Sequence, residues 1–99
     1  MPVLKVDLQE GFSGETIVLR INGEEAYRGT PRTRTQIGLA DTRSFELPGR
    51  QHTLEVEIPG SGVAKSLILE LNQDLYVGVT LREGGEISSR ISLEPFGYL

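Results

Sequence analysis

Apolar and polar residues alternate with a period of two along most of this chain, as they do in strands with one buried face. In residues 3–9, Leu4, Val6 and Leu8 fall on one side and Lys5 and Asp7 on the other. Ile17, Leu19 and Ile21 are the inward set of residues 15–21, and residues 24–28 form a return strand. Between them Asn22-Gly23 fits a two-residue hairpin turn, since both residue types tolerate φ > 0. Such a turn sets Arg20 opposite Glu25 and Val18 opposite Tyr27. Residues 33–39 resume the alternation with Thr35, Ile37 and Leu39 inward. A turn at Ala40-Asp41-Thr42 then leads to a short inward pair, Phe45 and Leu47.

The second half repeats the pattern. Leu54, Val56 and Ile58 alternate with Thr53, Glu55 and Glu57 in residues 52–58. Leu67, Leu69 and Leu71 are the inward set of residues 63–71, and Leu75, Val77, Val79 and Leu81 that of residues 75–81. Ile87, Ser89, Ile91 and Leu93 share the inner side of the last strand. Turn residues punctuate these runs at Pro48-Gly49, at residues 59–62 and 72–74, and at Gly84-Gly85. No segment carries a helical period of useful length. The expected fold is all-β: a two-sheet antiparallel sandwich of about eight short strands with no substantial helix. Residues 1–94 form the sandwich and residues 95–99 an aromatic C-terminal tail.

Composition narrows the chemistry. Ninety-nine residues make one domain with one core. The chain has no cysteine, which excludes disulfides, thiolate metal sites and cysteine nucleophiles. Its opening residues lack the basic and long apolar regions of a signal peptide. Its longest apolar runs, such as Ile17-Val18-Leu19, are far too short to span a bilayer. The expectation is a cytoplasmic chain without a membrane segment.

The net charge of −4 is unevenly spread. Arg28, Arg32, Arg34, Arg43 and Arg50 face only Asp41 and Glu46 within residues 26–52, whereas acids dominate elsewhere. Arg28, Arg32 and Arg34 are therefore candidates for binding an anion or a small ligand. A sequence pI of about 4.9 and the scarcity of neighbouring aromatics weigh against nucleic acid as the partner.

Catalytic and metal signatures are weak. His52 is the only histidine, so a hydrolase would have to centre on it. No Gly-x-Ser-x-Gly elbow accompanies it, and a strand-end histidine making a turn hydrogen bond is the simpler expectation. One histidine without cysteine cannot hold zinc. Oxygen ligands for calcium exist in Asp7, Glu10 and Glu15 and in Asn72 with Asp74, but not at the spacing of a calcium loop. Glu55 and Glu57 share one strand face and read as its solvent side. No catalytic residue, metal or cofactor is assigned.

Ile21-Asn22-Gly23-Glu24, Arg28-Gly29-Thr30-Pro31 and the run Leu47-Pro48-Gly49-Arg50-Gln51-His52-Thr53-Leu54-Glu55-Val56 resemble the PEGA family, whose modules carry a hairpin "DG", a "G-x-T-P" break and a "PG-x-H-x-V" strand entry. Asn22 replaces the usual acid, and an extra strand's worth of residues separates Pro31 from Pro48. The resemblance implies a non-catalytic accessory sandwich of immunoglobulin-like or transthyretin-like build.

The expected role is accordingly a protein-interaction module, with another protein or a second copy of the chain as partner. The residues offered for contact are the tail, Phe96, Tyr98 and Leu99, and an outward aromatic patch of Tyr27 and Tyr76. Val18 and Ile68 also fall on the outward parity. The competing expectation for the tail is that Phe96 plugs an open end of the sandwich.

Overall fold

The computed structural model describes residues 2–98. Eight strands run along the described chain: β1 (Val3–Leu8), β2 (Ile17–Ile21), β3 (Glu24–Gly29), β4 (Asp41–Glu46), β5 (Gln51–Ile58), β6 (Val63–Glu70), β7 (Leu75–Leu81) and β8 (Ile87–Ser92). They form two four-stranded sheets, ordered β4-β1-β7-β8 and β3-β2-β5-β6. The inward alternating sets of both sheets meet in one core, with Leu4, Val6 and Leu8 against Leu19, Leu54 and Val56, all at most 1% exposed. Each such side chain contributes about 1.5–3 kcal/mol when buried. The all-β sandwich of eight strands is thus as the alternation requires.

Four details differ from the sequence expectation. The first sheet is mixed rather than antiparallel, because β1 pairs in parallel with β7, Asp7 lying opposite Gly78. Alternation states which face a residue takes; it is silent on strand direction. Secondly, residues 33–39 form no strand. Arg34 N donates to Leu39 O (3.0 Å), and the amides of Ile37 and Gly38 both donate to Arg34 O (3.1 and 2.8 Å). The segment closes on itself, with Gly38 at φ +70° supplying the left-handed residue, and needs no neighbouring strand. Thirdly, Ala40-Asp41-Thr42 is not a turn. Ala40 N donates to Leu8 O (2.7 Å) and β4 begins at the next residue.

The fourth difference lies in the first hairpin. Asn22 (φ 54°) and Gly23 (φ 86°) make the expected turn, and Arg20 does face Glu25. The register then slips between Arg20 and Leu19, leaving Ala26 as an unpaired bulge. One extra residue turns every following side chain over. Tyr27 therefore lies opposite Leu19 rather than Val18, packs against the core, and donates its hydroxyl proton to Asp41 Oδ2 at 3.1 Å. Tyr27 closes the β3–β4 side of the sandwich instead of facing outward.

Asn22 does more than turn the chain. Its Oδ1 accepts from Thr53 N (3.0 Å), and its Nδ2 donates to His52 Nδ1 (2.9 Å). Asn22→Ala should thus lower stability by about 1–2 kcal/mol. Asn22→Gly keeps the turn conformation but loses the same side-chain bonds. A chemical-denaturation midpoint for Asn22→Gly equal to wild type would show that those bonds contribute nothing.

Candidate functional site

The outer face of the first sheet carries an unusual set of groups. Its outward positions are laid out by register. Thr42, Asp7, Gly78 and Arg90 form one row across β4, β1, β7 and β8, and Thr80 stands directly opposite Ser88 in the next. A carboxylate on an outer strand face is ordinarily solvated. Asp7 is 3% exposed. Its Oδ1 accepts from the Thr42 hydroxyl (2.7 Å) and its Oδ2 from the Tyr98 hydroxyl (2.6 Å).

Tyr98 reaches Asp7 because the tail folds back over the sheet. The Gln9 side-chain amide donates to the Tyr98 oxygen (3.0 Å), and Gln9 is itself buried. Gln9 can lie flat because Gly78 has no side chain: a Cβ there would sit 2.6 Å from Gln9 Oε1. Burial first, and the neighbouring Asp7 carboxylate second, push the Tyr98 hydroxyl up to about 12. Phe96 lies beneath the Arg90 guanidinium, 4.6 Å from its carbon to the ring centroid. Phe96 thus occupies the outer sheet face and does not plug an end of the sandwich. Leu99 lies outside the described residues.

The other expected contact residues are dispersed. Tyr76 is half-buried on this same outer face, opposite Lys5 and Ser92, whereas Tyr27 faces inward on the other sheet. They form no common patch. Val18 is fully buried on the outer face of the second sheet, flanked across its strand pairs by Arg28 and Glu57.

The arginines of residues 26–52 also fail to converge. Arg28 is held by Glu25 at 2.8 Å. Arg43 pairs with Asp41 (3.1 Å) and lies over the Tyr27 ring, and Arg50 donates to Asn72 (2.8 Å). Arg32 and Arg34 sit in the loop joining the two sheets, Arg32 in a β-bridge with Ser13. Arg28 is thus on β3 and committed to Glu25, and no strand aligns Arg32 with Arg34.

His52 is buried, with Nδ1 at the Asn22 amide and Nε2 3.2 Å from Gly49 O. Nδ1 accepts and Nε2 donates, which fixes the ring as a structural brace at the entry to β5. Glu55 and Glu57 both pair with Arg20 (2.8 and 2.7 Å). Glu15 accepts from Ser13 N (2.7 Å), which holds its carboxyl below the usual carboxylate range. Asp74 accepts from Val3 N (2.8 Å). Among the described residues no cluster of three or more histidine or acidic side chains is placed to hold a metal ion, and no helix is long and apolar enough to cross a membrane.

The large exposed apolar residues do concentrate. Ile68 (72%), Ile91 (51%) and Leu93 (61%) lie on β6, on β8 and just after β8. These are the edge strands of opposite sheets on one side of the sandwich, where they approach each other. Parity alone places Ile91 and Leu93 inward. Position at an open edge is what exposes them. Comparison of the chain with family models, with curated proteins and with solved structures finds no match, so its function is read from this geometry alone.

Proposed function

We propose that this chain is a non-catalytic β-sandwich module that works by protein contact, engaging a second copy of itself through the β6–β8 side. The observation that carries the reading is the state of the four edge strands. An unpaired edge is a template for another strand unless it is short, bulged or charged. β3 has the Ala26 bulge and carries Glu24, Glu25 and Arg28. β4 carries Asp41, Arg43 and Glu46. β6 spans eight residues, pairs with β5 in unbroken register and exposes Ile68, with Lys65 and Glu70 its only charges. It is the longest of the four edge strands; β8, the edge beside it, is six residues long with Arg90 its one charge, and Ile91 and Leu93 are exposed on it and just after it.

An antiparallel β6–β6 contact about a two-fold axis uses both features at once. The non-catalytic part of the reading is supported by His52, whose ring nitrogens are both occupied by structural partners. The PEGA-like turn pattern agrees with an accessory module.

Sedimentation from micromolar to millimolar concentration tests the reading. The wild-type chain should dimerise reversibly, and Ile68→Lys should weaken the dimer about tenfold or more. Leu93→Lys should weaken it less. A chain that stays monomeric throughout, or an Ile68→Lys variant that associates as well as wild type, would remove β6 as the contact.

A further inference from the structure

The outer face of the first sheet holds a second feature, independent of the β6–β8 side. Beside the flattened Gln9 side chain, an open cavity of about 520 Å³ is lined by Thr80, Arg82, Ser88 and Arg90, with Gly78 and Gln9 on its flank. We propose that this trough binds a small tetrahedral oxyanion, inorganic phosphate or the phosphoryl group of a small phosphate monoester.

Register supplies the donor arrangement. Thr80 and Ser88 are direct cross-strand partners, so their hydroxyls rise side by side from one face. Arg90 stands two residues beyond Ser88 on β8, and Arg82 directly follows β7, two residues beyond Thr80, where its amide donates to Glu86 O (2.7 Å) and continues the pairing. Both arginines therefore lie on that same face, at opposite ends of the hydroxyl pair. Two guanidiniums and two hydroxyls around one cavity can satisfy several oxygens of a tetrahedral anion at once.

Among the described residues neither guanidinium is paired with a carboxylate, the ion pairs there using Arg20, Arg28 and Arg43. Arg90 is instead stacked on Phe96, which orients its planar fork without neutralising it. The one acid in the lining, Glu10, extends toward the neighbouring loop, its Oε1 3.5 Å from where a Cβ of Gly38 would be, in a hollow that Arg90 also borders. The tail is therefore part of the site, because Phe96 positions Arg90 and Tyr98 holds down Gln9. This assignment differs from the arginines of residues 28–34, which composition favours and the fold disperses.

Amide chemical-shift titration of the intact chain with sodium phosphate, and separately with glycerol 3-phosphate, is the test. Sodium chloride at matched ionic strength is the control. Both phosphates should shift the amides of Gly78, Thr80, Ser88 and Arg90 saturably. Arg90→Gln and Arg82→Gln should each weaken binding about tenfold, Phe96→Ala should weaken it less, and Arg32→Gln with Arg34→Gln should leave it unchanged. Tighter binding of glycerol 3-phosphate than of inorganic phosphate would identify the monoester as the better ligand. Thermal melts identify any variant that fails to fold, and Arg82→Gln keeps the test open if Arg90→Gln does. Shifts reproduced by chloride, or shifts confined to the Arg32–Arg34 loop, would overturn the assignment, as would binding unchanged by Arg82→Gln.

Discussion

Gly11→Ala is expected to cost about 3–4 kcal/mol of stability. Two penalties coincide at this position. Gly11 has φ +90°, a conformation in which any L side chain is strained. A Cβ at Gly11 would also collide with the carbonyl oxygen of Leu81, and backbone cannot rotate aside as a side-chain tip can. The two segments are stitched together here. Gln9 N donates to Val79 O (2.7 Å) and Leu81 N to Glu10 O (2.9 Å). Relieving the clash therefore means breaking the parallel β1–β7 seam at the centre of the sheet. Gly84 serves as the internal control: its φ is +92°, but nothing lies within 4 Å of its Cβ position. Gly84→Ala should cost only about 1 kcal/mol. Urea midpoints for the two variants separate the terms, and equal losses would show that the Leu81 contact can be relieved.

Tyr98→Phe is expected to destabilise the fold by about 1–2 kcal/mol at neutral pH, a value at the low end for a bond to a charged group because Tyr98 is half-exposed. The substitution removes one hydroxyl, and with it the 2.6 Å bond to the nearly inaccessible Asp7 carboxylate. The pH dependence carries a second signature. The hydroxyl is raised from 10.0 to about 12 by folding, so its neutral form is favoured in the native state. Its contribution is complete below pH 10, declines as the unfolded chain ionises first, and is lost as pH rises through about 12. Wild type and Tyr98→Phe should therefore converge in stability between those limits. Parallel alkaline profiles for the two proteins would show that Tyr98 is not bonded to Asp7 in solution.

Both predictions concern roles that the sequence leaves unmarked, although it singles out Tyr98 as a tail residue offered for contact. Gly11 is one of twelve glycines, and only the close approach of the Leu81 carbonyl separates it from the harmless ones. Asp7 reads as an ordinary outward acid of an amphipathic strand. Its burial depends on a tail ninety residues away folding back over the sheet. The oxyanion trough is equally hidden, because Arg82 and Arg90 are separate in sequence and come to flank one cavity only through the β7–β8 pairing. The arginine-rich stretch attracts notice by its density, yet its members end on different faces.

What the amino-acid sequence determined by itself is the local geometry. Period-two alternation set six of the eight strands, β1, β2 and β5 to β8, and the parity of their inward residues, since a half-buried strand must place apolar groups at every second residue. Asn22-Gly23 and Gly84-Gly85 set tight turns because the left-handed backbone there disfavours other residues. Only the tertiary structure decided the rest. Which strands become neighbours, and in which direction, depends on pairings between distant residues, and the parallel β1–β7 seam has no local signal. The Ala26 bulge turned Tyr27 from solvent into the sandwich, because a single extra residue exchanges the two faces of a strand. Residues 33–39 kept the alternation of a strand without becoming one, since the amides of Arg34, Ile37 and Gly38 found partners within the segment and that of Thr33 bonded Phe12.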